Sequence, residues 1–323
     1  MSVHPANTYN LVADIGGTNT RVALCDGTAL LPATISKYAN AQFGDLEAVL
    51  QKYLNEQGGV DCAGVCIALA GPVSDGVGRM TNLDWEIHTE RLASVTKSEK
   101  TAILNDLQAQ GHAIGHLAPD TLSAITHDVE PRVGGTCLVV GIGTGFNAVA
   151  VLDTPHGRLV PASEVGHAGL PVHNAQDLRL ARFIATQKGF AAVEDVLSGP
   201  GLERVFRWLG NEADAPRELP AADIMAAVAA QSDARATAAA ALVVRFMASI
   251  IGDIALVHLP FGGIFLVGGV ARSLAPHLEA FDFTRQFRDR GRFSDMMAEF
   301  PISVIGDDNA ALVGCAHYLD ALN

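Results

Sequence analysis

LVADIGGTNTRVALCD, residues 11–26, and LVVGIGTGFNAVAVLD, residues 138–153, lie over one another without a gap, with nearly half of their positions identical. Each reads as an apolar strand, a glycine turn and a second apolar strand. Leu11, Val12 and Ala13 run into the first turn, and Val22, Ala23 and Leu24 run out of it. A hairpin repeated once per domain points to an internal duplication, and the two turns are expected to face each other across a cleft. The second turn, GIGTG, invites a dinucleotide reading. However, Phe146 to Val151 continue as an apolar strand where a Rossmann turn must open a helix, so that reading fails. No GxxxxGK[ST] occurs, which excludes a P-loop.

Around the hairpins the pattern alternates between strands and helices. Val65–Ala70 and Thr101–Leu104 are β-rich. Leu46, Val49, Leu50, Tyr53 and Leu54 fall at helical spacing between Asp45 and the stop at Gly58 and Gly59. A polar, proline-bearing stretch from Pro119 to Gly135 separates the first unit from the second. The expected organisation is therefore a small α/β domain, 1–116, and a large one, 117–306, with a closing helix within 307–323 returning to the small domain. That helix starts after Asp308 and carries Leu312, Cys315 and Leu319 on one face. Late strands are expected at Ile264–Val267, ending in Gly268 and Gly269, and at Ile302–Ile305.

Composition narrows the class. The 323 residues suit two domains; 49% are hydrophobic, 18% are charged, and 32 glycines are spread along the chain, as a turn-rich α/β protein requires. The 22 basic against 35 acidic residues give a formal charge of -13, so no global field attracts nucleic acid or an anionic membrane, and an anionic ligand has to be held locally. Ala236–Leu259 is nearly apolar but is interrupted by Arg245, Asp253 and His258, and reads as a buried helix. MSVHPANTYN lacks a basic and an apolar region of an export signal, and a cytosolic address is expected. Five cysteines form no CxxC pair and read as buried free thiols.

The candidate chemistry lies in a few short segments. Asp14–Thr18, DIGGT, sets a carboxylate at a strand end beside two glycines and a hydroxyl. Backbone N–H groups and a divalent cation beside Asp14 would there hold phosphate, against the ordinary reading of a glycine hairpin. In TAILNDLQAQ an apolar run ends in Asn105 and Asp106 as a helix begins. An ionised Asp can take a proton from a substrate hydroxyl, though Asp is equally a good helix N-cap. SEVGH spaces Glu164 and His167 as a helical metal pair would, but Pro161 and Gly166 make a loop the better reading, one that presents a carboxylate and an imidazole to a polyhydroxyl ligand. Glu194 precedes VLSGPGL, and its ordinary reading is solvent exposure. Arg285, Arg288, Arg290 and Arg292 read as a solvated face.

Taken together and in order, these segments resemble the bacterial glucokinases, on the two-domain actin-like ATPase (ribonuclease H-like) fold with a cleft between lobes. The resemblance runs almost end to end: LVADIGGTNTRVALCDG, GPVSDGVGRMTNLDW, ILNDLQA, VVGIGTG, SEVGHAGLP, EDVLSGPGL, GGIFLVGG, GRF and DNAALVGCAHYL. It implies an ATP-dependent kinase acting on O6 of glucose, in which Ala13, Asp14, Ile15, Gly16, Gly17, Thr18, Gly143, Thr144 and Gly145 hold ATP phosphates. Gly268 and Gly269 then serve the adenosine side, and Asp106 is the catalytic base. Asn105, Asp106, Glu164, His167 and Glu194 become sugar contacts. Mg²⁺ is expected with ATP, positioned by Asp14, and a homodimer is expected. Alternatives are a kinase for another hexose or an amino sugar, and an ATP-gated sugar sensor without turnover. Sugar binding is expected to close the cleft. One departure stands beside the second phosphate turn: where the family continues GTGLG, this chain has Phe146 and Asn147, so a glycine is lost; asparagine tolerates φ > 0 better than most residues, and a modest effect on ATP affinity is expected. The stretch after His167, AGLPVHNAQDL, lacks the cysteine-rich zinc motif of the related repressor and kinase group, so no zinc is expected.

Overall fold

A computed structural model describes residues 7–81 and 83–322. Residues 1–6, part of the segment read for an export signal, lie outside the described residues, as do Asn82 of TNLDW and Asn323. The strands are β1 (Tyr9–Ile15), β2 (Asn19–Asp26), β3 (Ala29–Leu30), β4 (Ser36–Ala39), β5 (Cys62–Leu69), β6 (Val73–Ser74), β7 (Val77–Arg79), β8 (Glu86–His88), β9 (Lys100–Asn105), β10 (Leu122–Ala124), β11 (Cys137–Ile142), β12 (Phe146–Thr154), β13 (Gly157–Leu159), β14 (Gly263–Val267) and β15 (Ile302–Ile305). The helices are α1 (Leu46–Glu56), α2 (Thr89–Thr96), α3 (Asp106–Ala113), α4 (Ala175–Lys188), α5 (Gly199–Glu212), α6 (Ala221–Ala229), α7 (Ala234–His258), α8 (Gly269–Leu274), α9 (Phe283–Arg288), α10 (Ser294–Met297) and α11 (Ala310–Ala321).

The chain forms two compact units. One comprises 1–119, 154–162 and 307–323, the other 120–153 and 163–306. Thr154–Ala162, read from sequence as part of the large domain, groups with the first unit. Gln108 Nε2 there donates to the Val160 carbonyl at 2.9 Å, and Arg158 Nη1 donates to the carbonyls of His112 and Ile114 at the end of α3.

In the first unit the sheet runs β3-β2-β1-β5-β9, with β1, β5 and β9 parallel and β2 antiparallel to β1; β4 also pairs with β2. Side chains alternate between two cores, as a strand's two-residue period requires. Leu11, Ala13, Ile15, Val22 and Leu24 pack on one face with Leu46, Val49, Leu50 and Tyr53 of α1, whose N-terminus Asp45 caps by accepting the Ala48 N–H at 2.8 Å. Val12, Ala23, Cys66 and Ala68 pack on the other face with Leu312, Cys315 and Leu319 of α11. Ile15, Leu69 and Asn105 are in register across β1, β5 and β9, so these three strands end at one edge.

The second unit repeats the plan. Its strands run β10-β15-β14-β11-β12, with β11, β14 and β15 parallel and β12 antiparallel to β11. The Pro119–Gly135 stretch supplies β10, paired with β15. The two hairpins differ in one respect that the gapless sequence match hides. Ile15 pairs with Thr20, whereas the equivalent Ile142 pairs with Phe146, so the second turn is one residue shorter and the match slips by one beyond it. α7 is the one helix among the described residues long and apolar enough to cross a membrane, but 67% of its apolar window is buried within the unit, as a core helix requires. Arg290 departs from the solvated face read for its cluster. Its side chain, 14% exposed, lies over α7 and donates to the Ser249 carbonyl at 2.6 Å.

Candidate active site

In the first unit, the Asp14–Thr18 turn and the Asn105–Asp106 pair leave the same carboxyl edge of the parallel strands. Two strand spacings, about 10 Å, separate them. Ligands of open α/β sheets bind at such edges. The turn is closed by Gly16 N–H to the Asn19 carbonyl at 3.0 Å. It is braced by Asn40, a buried residue that sequence reasoning missed. Asn40 Nδ2 donates to the Gly16 carbonyl at 2.8 Å, its backbone N–H donates to the Thr18 carbonyl at 2.9 Å, and its Oδ1 accepts the Thr20 hydroxyl at 2.8 Å. No spacing marks this asparagine, because the contact is made across strands.

Asp14 is half-buried opposite Arg21 on β2, and Arg21 also donates to the Asp308 carbonyl. Burial pushes the Asp14 carboxyl up to about 6, against the pull of the Arg21 guanidinium. Among the described residues no group of three or more His, Cys, Asp or Glu side chains is arranged to hold a metal ion. A single hard carboxylate does fit Mg²⁺, which is held by one or two carboxylates together with water and substrate phosphates.

At the end of β9, Asn105 rather than Asp106 caps α3. Asn105 Oδ1 accepts the Leu107 N–H at 3.0 Å, and Gln108 Oε1 accepts the Asn105 N–H at 3.1 Å, which completes a capping box. Asn105 Nδ2 donates to the Gly71 carbonyl at 3.1 Å, so its amide plane is fixed from both ends. Asp106 is the first helical residue, half-buried, and its Oδ1 accepts the Leu107 N–H at 2.8 Å. The capping expected of Asp106 is thus supplied by its neighbour.

In the second unit, the Gly143–Gly145 turn closes with Gly143 N–H to the Gly145 carbonyl at 2.9 Å, and the Gly143 carbonyl accepts the Gly199 N–H at 2.8 Å where α5 begins. Gly268, at φ +106°, stands behind the turn: a Cβ there would lie 2.4 Å from the Ile142 carbonyl oxygen. Only glycine permits both that conformation and that approach. Gly143–Gly145 and Gly268–Gly269 therefore share the carboxyl edge of β11 and β14. Thr144 and Gly269 are exposed there.

Glu164 precedes a single 3₁₀ turn, Val165–His167, which His167 ends, and both are exposed, as the loop reading expects. Glu194 is not simply solvated: it is half-buried, and its Oε2 accepts the Phe146 N–H at 2.9 Å. Its backbone N–H donates to the Gly166 carbonyl at 2.9 Å, and its carbonyl accepts the hydroxyl of Ser198, the N-cap of α5, at 2.8 Å. Gly166 is wedged against β12, where a Cβ would lie 1.9 Å from the Phe146 carbonyl oxygen. The segments that carry Glu164, His167 and Glu194 are thus tied by hydrogen bonds to one another and to Phe146, the residue that follows the Gly143–Gly145 turn. Asn147 makes no use of asparagine's tolerance of positive φ. It is a regular strand residue opposite Gly141, and its Nδ2 donates to the Ser163 carbonyl.

These features, a strand order repeated in two units with glycine turns at the carboxyl edges, define a protein of the actin-like ATPase fold. A glucokinase from an Antarctic psychrotroph has a crystal structure that matches with a TM-score of 0.84, at 27% identity, over 97% of this chain and 98% of that one. The glucokinase family model matches residues 11–322. Glucokinases of Stenotrophomonas maltophilia and Saccharophagus degradans are 32% and 30% identical over 317 residues each, covering 95% and 97% of this chain and 94% and 98% of their own lengths. The chain belongs to the glucokinase family.

Proposed function

We propose that this chain transfers the γ-phosphoryl group of ATP to the primary hydroxyl of glucose, giving glucose 6-phosphate. Membership of the glucokinase family supports ATP as donor and a hexose as acceptor. The observation that carries the reading to particular residues is the shared sheet edge. The DIGGT turn and the Asn105–Asp106 pair leave the same carboxyl edge of one parallel sheet, two strand spacings apart, each fixed by backbone and amide hydrogen bonds.

In this proposal Asp106 accepts the proton of the 6-hydroxyl as the oxygen attacks phosphorus. Asn105, Glu164, His167 and Glu194 pair with the remaining hydroxyls, so a sugar that lacks or inverts one of them leaves a protein group unpaired, at a cost of about 1–3 kcal/mol. The backbone N–H groups of Ala13–Thr18 and Gly143–Gly145 meet the phosphates, and Gly268 and Gly269 lie on the adenosine side. Asp14 would hold Mg²⁺, which when bound neutralises phosphate charge. Phosphoryl transfer asks the protein mainly for placement and charge stabilisation, and these groups supply both.

The test is formation of glucose 6-phosphate from ATP, Mg²⁺ and glucose by the purified chain, with mannose, fructose, galactose and glucosamine alongside. Fastest turnover on glucose supports the reading. Preference for another sugar replaces the substrate, and glucose binding without phosphorylation of any sugar makes the chain a sensor. A cytosolic location and a homodimer belong to the same proposal; light scattering on the purified chain reads the second.

A further inference from the structure

The strand that leaves the second glycine turn bonds to both segments that carry the second unit's sugar candidates. Phe146, the first residue after Gly145, donates its N–H to the Glu194 carboxylate at 2.9 Å. The next residue, Asn147, donates through Nδ2 to the carbonyl of Ser163, which precedes Glu164, while its own Oδ1 accepts the Ala148 N–H at 2.8 Å. The Ser163 hydroxyl accepts the Val165 N–H at 3.2 Å, and Gly166 lies against the Phe146 carbonyl. Asn147 therefore spans from the strand to the root of the Glu164–His167 turn. A glycine at this position would have no side-chain amide with which to make that bond.

Resting on the functional reading above, we propose that Asn147 is a positioning residue. With the Phe146–Glu194 bond it mounts the sugar loop on the phosphate turn, so that nucleotide at Gly143–Gly145 and sugar at Glu164, His167 and Glu194 bind with positive, reciprocal coupling. The physical cause is shared ordering. Phosphate on the turn fixes Gly145, and with it Phe146 and Asn147, whose bonds fix Ser163 and Glu194; the sugar then meets a loop already held. Linkage makes the effect equal in the other direction. Without the Asn147 amide the loop keeps its sugar ligands but loses its hydrogen bond to the strand that leaves the turn.

Calorimetric titration of glucose, with and without Mg²⁺ and a non-hydrolysable ATP analogue, tests this on the wild-type chain and on Asn147→Asp and Asn147→Gly. The first variant keeps the side chain's shape and removes the donor; the second removes the side chain. In the wild type the analogue is expected to tighten glucose binding about fivefold or more. Both variants should bind glucose alone about 3- to 10-fold more weakly, and the tightening by the analogue should fall below about twofold. Variants that keep the wild-type tightening overturn the proposal, as does a wild type that binds both ligands without coupling. A wild type that binds no glucose removes the functional reading itself, and the two failures are thereby distinguished.

Discussion

Replacing Asp14 by asparagine should change how stability depends on pH, by an amount that follows from its surroundings. Burial pushes the carboxyl of the folded chain up to about 6, from 3.8 for an ordinary aspartate. At about 1.4 kcal/mol per pH unit, that gap corresponds to about 3 kcal/mol. Because the folded-state value is the higher one, the folded chain binds more protons than the unfolded chain between pH 4 and 6. The contribution of Asp14 to wild-type stability therefore falls as pH rises through this window and levels off above it. Asparagine does not titrate, so the Asp14→Asn chain should gain about 3 kcal/mol relative to wild type between pH 4 and 7, in the absence of metal and nucleotide. The two tryptophans, Trp85 and Trp208, lie one in each unit, so a Trp208→Phe background lets Trp85 fluorescence report denaturant unfolding of the first unit alone. A stability difference between the two chains that stays flat from pH 4 to 7, within about 1 kcal/mol, refutes the assignment of a half-buried, electrostatically costly carboxylate at Asp14. The same substitution should raise the Mg²⁺ concentration needed for half-maximal turnover more than the KM for sugar. The opposite order of effects removes the metal role.

Asn40→Ala strips the brace from the first glycine turn and leaves the Gly16 carbonyl and the Thr20 hydroxyl without their partner; unfolding of the first unit should ease by about 1–3 kcal/mol and the KM for ATP should rise. Gly166→Ala drives a methyl group into the Phe146 carbonyl, so glucose affinity, read by calorimetry, should fall about tenfold or more, and an unchanged value contradicts the close packing. Asp177, fully buried on α4, accepts from the Arg245 guanidinium and from the His173 N–H at 3.0 Å; Asp177→Asn should destabilise the second unit by about 2–3 kcal/mol by Trp208 fluorescence, with little effect on the KM values of the folded enzyme.

What the sequence shows follows from which interactions are local. The hairpins are visible because apolar runs flank glycine turns. α1 is visible because its buried residues recur at helical spacing after a capping aspartate, and α11 because Leu312, Cys315 and Leu319 share one face. Less is visible where the deciding contact joins residues far apart in the chain. The capping box assigns the helix start to Asn105, though Asp106 beside it is as good a cap by type. Asn40 looks like an ordinary loop residue, and Asn147 only like a lost glycine, until Gly16 and Ser163 are brought to them. Glu194 reads as solvated because nothing near it in sequence contains the Phe146 N–H that holds it. The one-residue slip between the hairpins escapes a sequence match because both turns are glycine-rich and both outgoing strands are apolar. Arg290 reads as surface charge because its partners are carbonyls of α7, and backbone carbonyls carry no sequence signature.

The central claim is that Asp106, the first residue of α3, takes the proton from the sugar's primary hydroxyl. Its most direct test is the steady-state kcat of Asp106→Asn with saturating ATP, Mg²⁺ and glucose, set beside the calorimetric glucose affinity of the same preparation. General-base catalysis of ordinary weight predicts a loss in kcat of about 10² to 10⁴, with glucose affinity held within about threefold because the amide keeps the side chain's size and one acceptor. A variant that turns over within about tenfold of wild type while binding glucose normally contradicts the claim and sends the search for the base elsewhere.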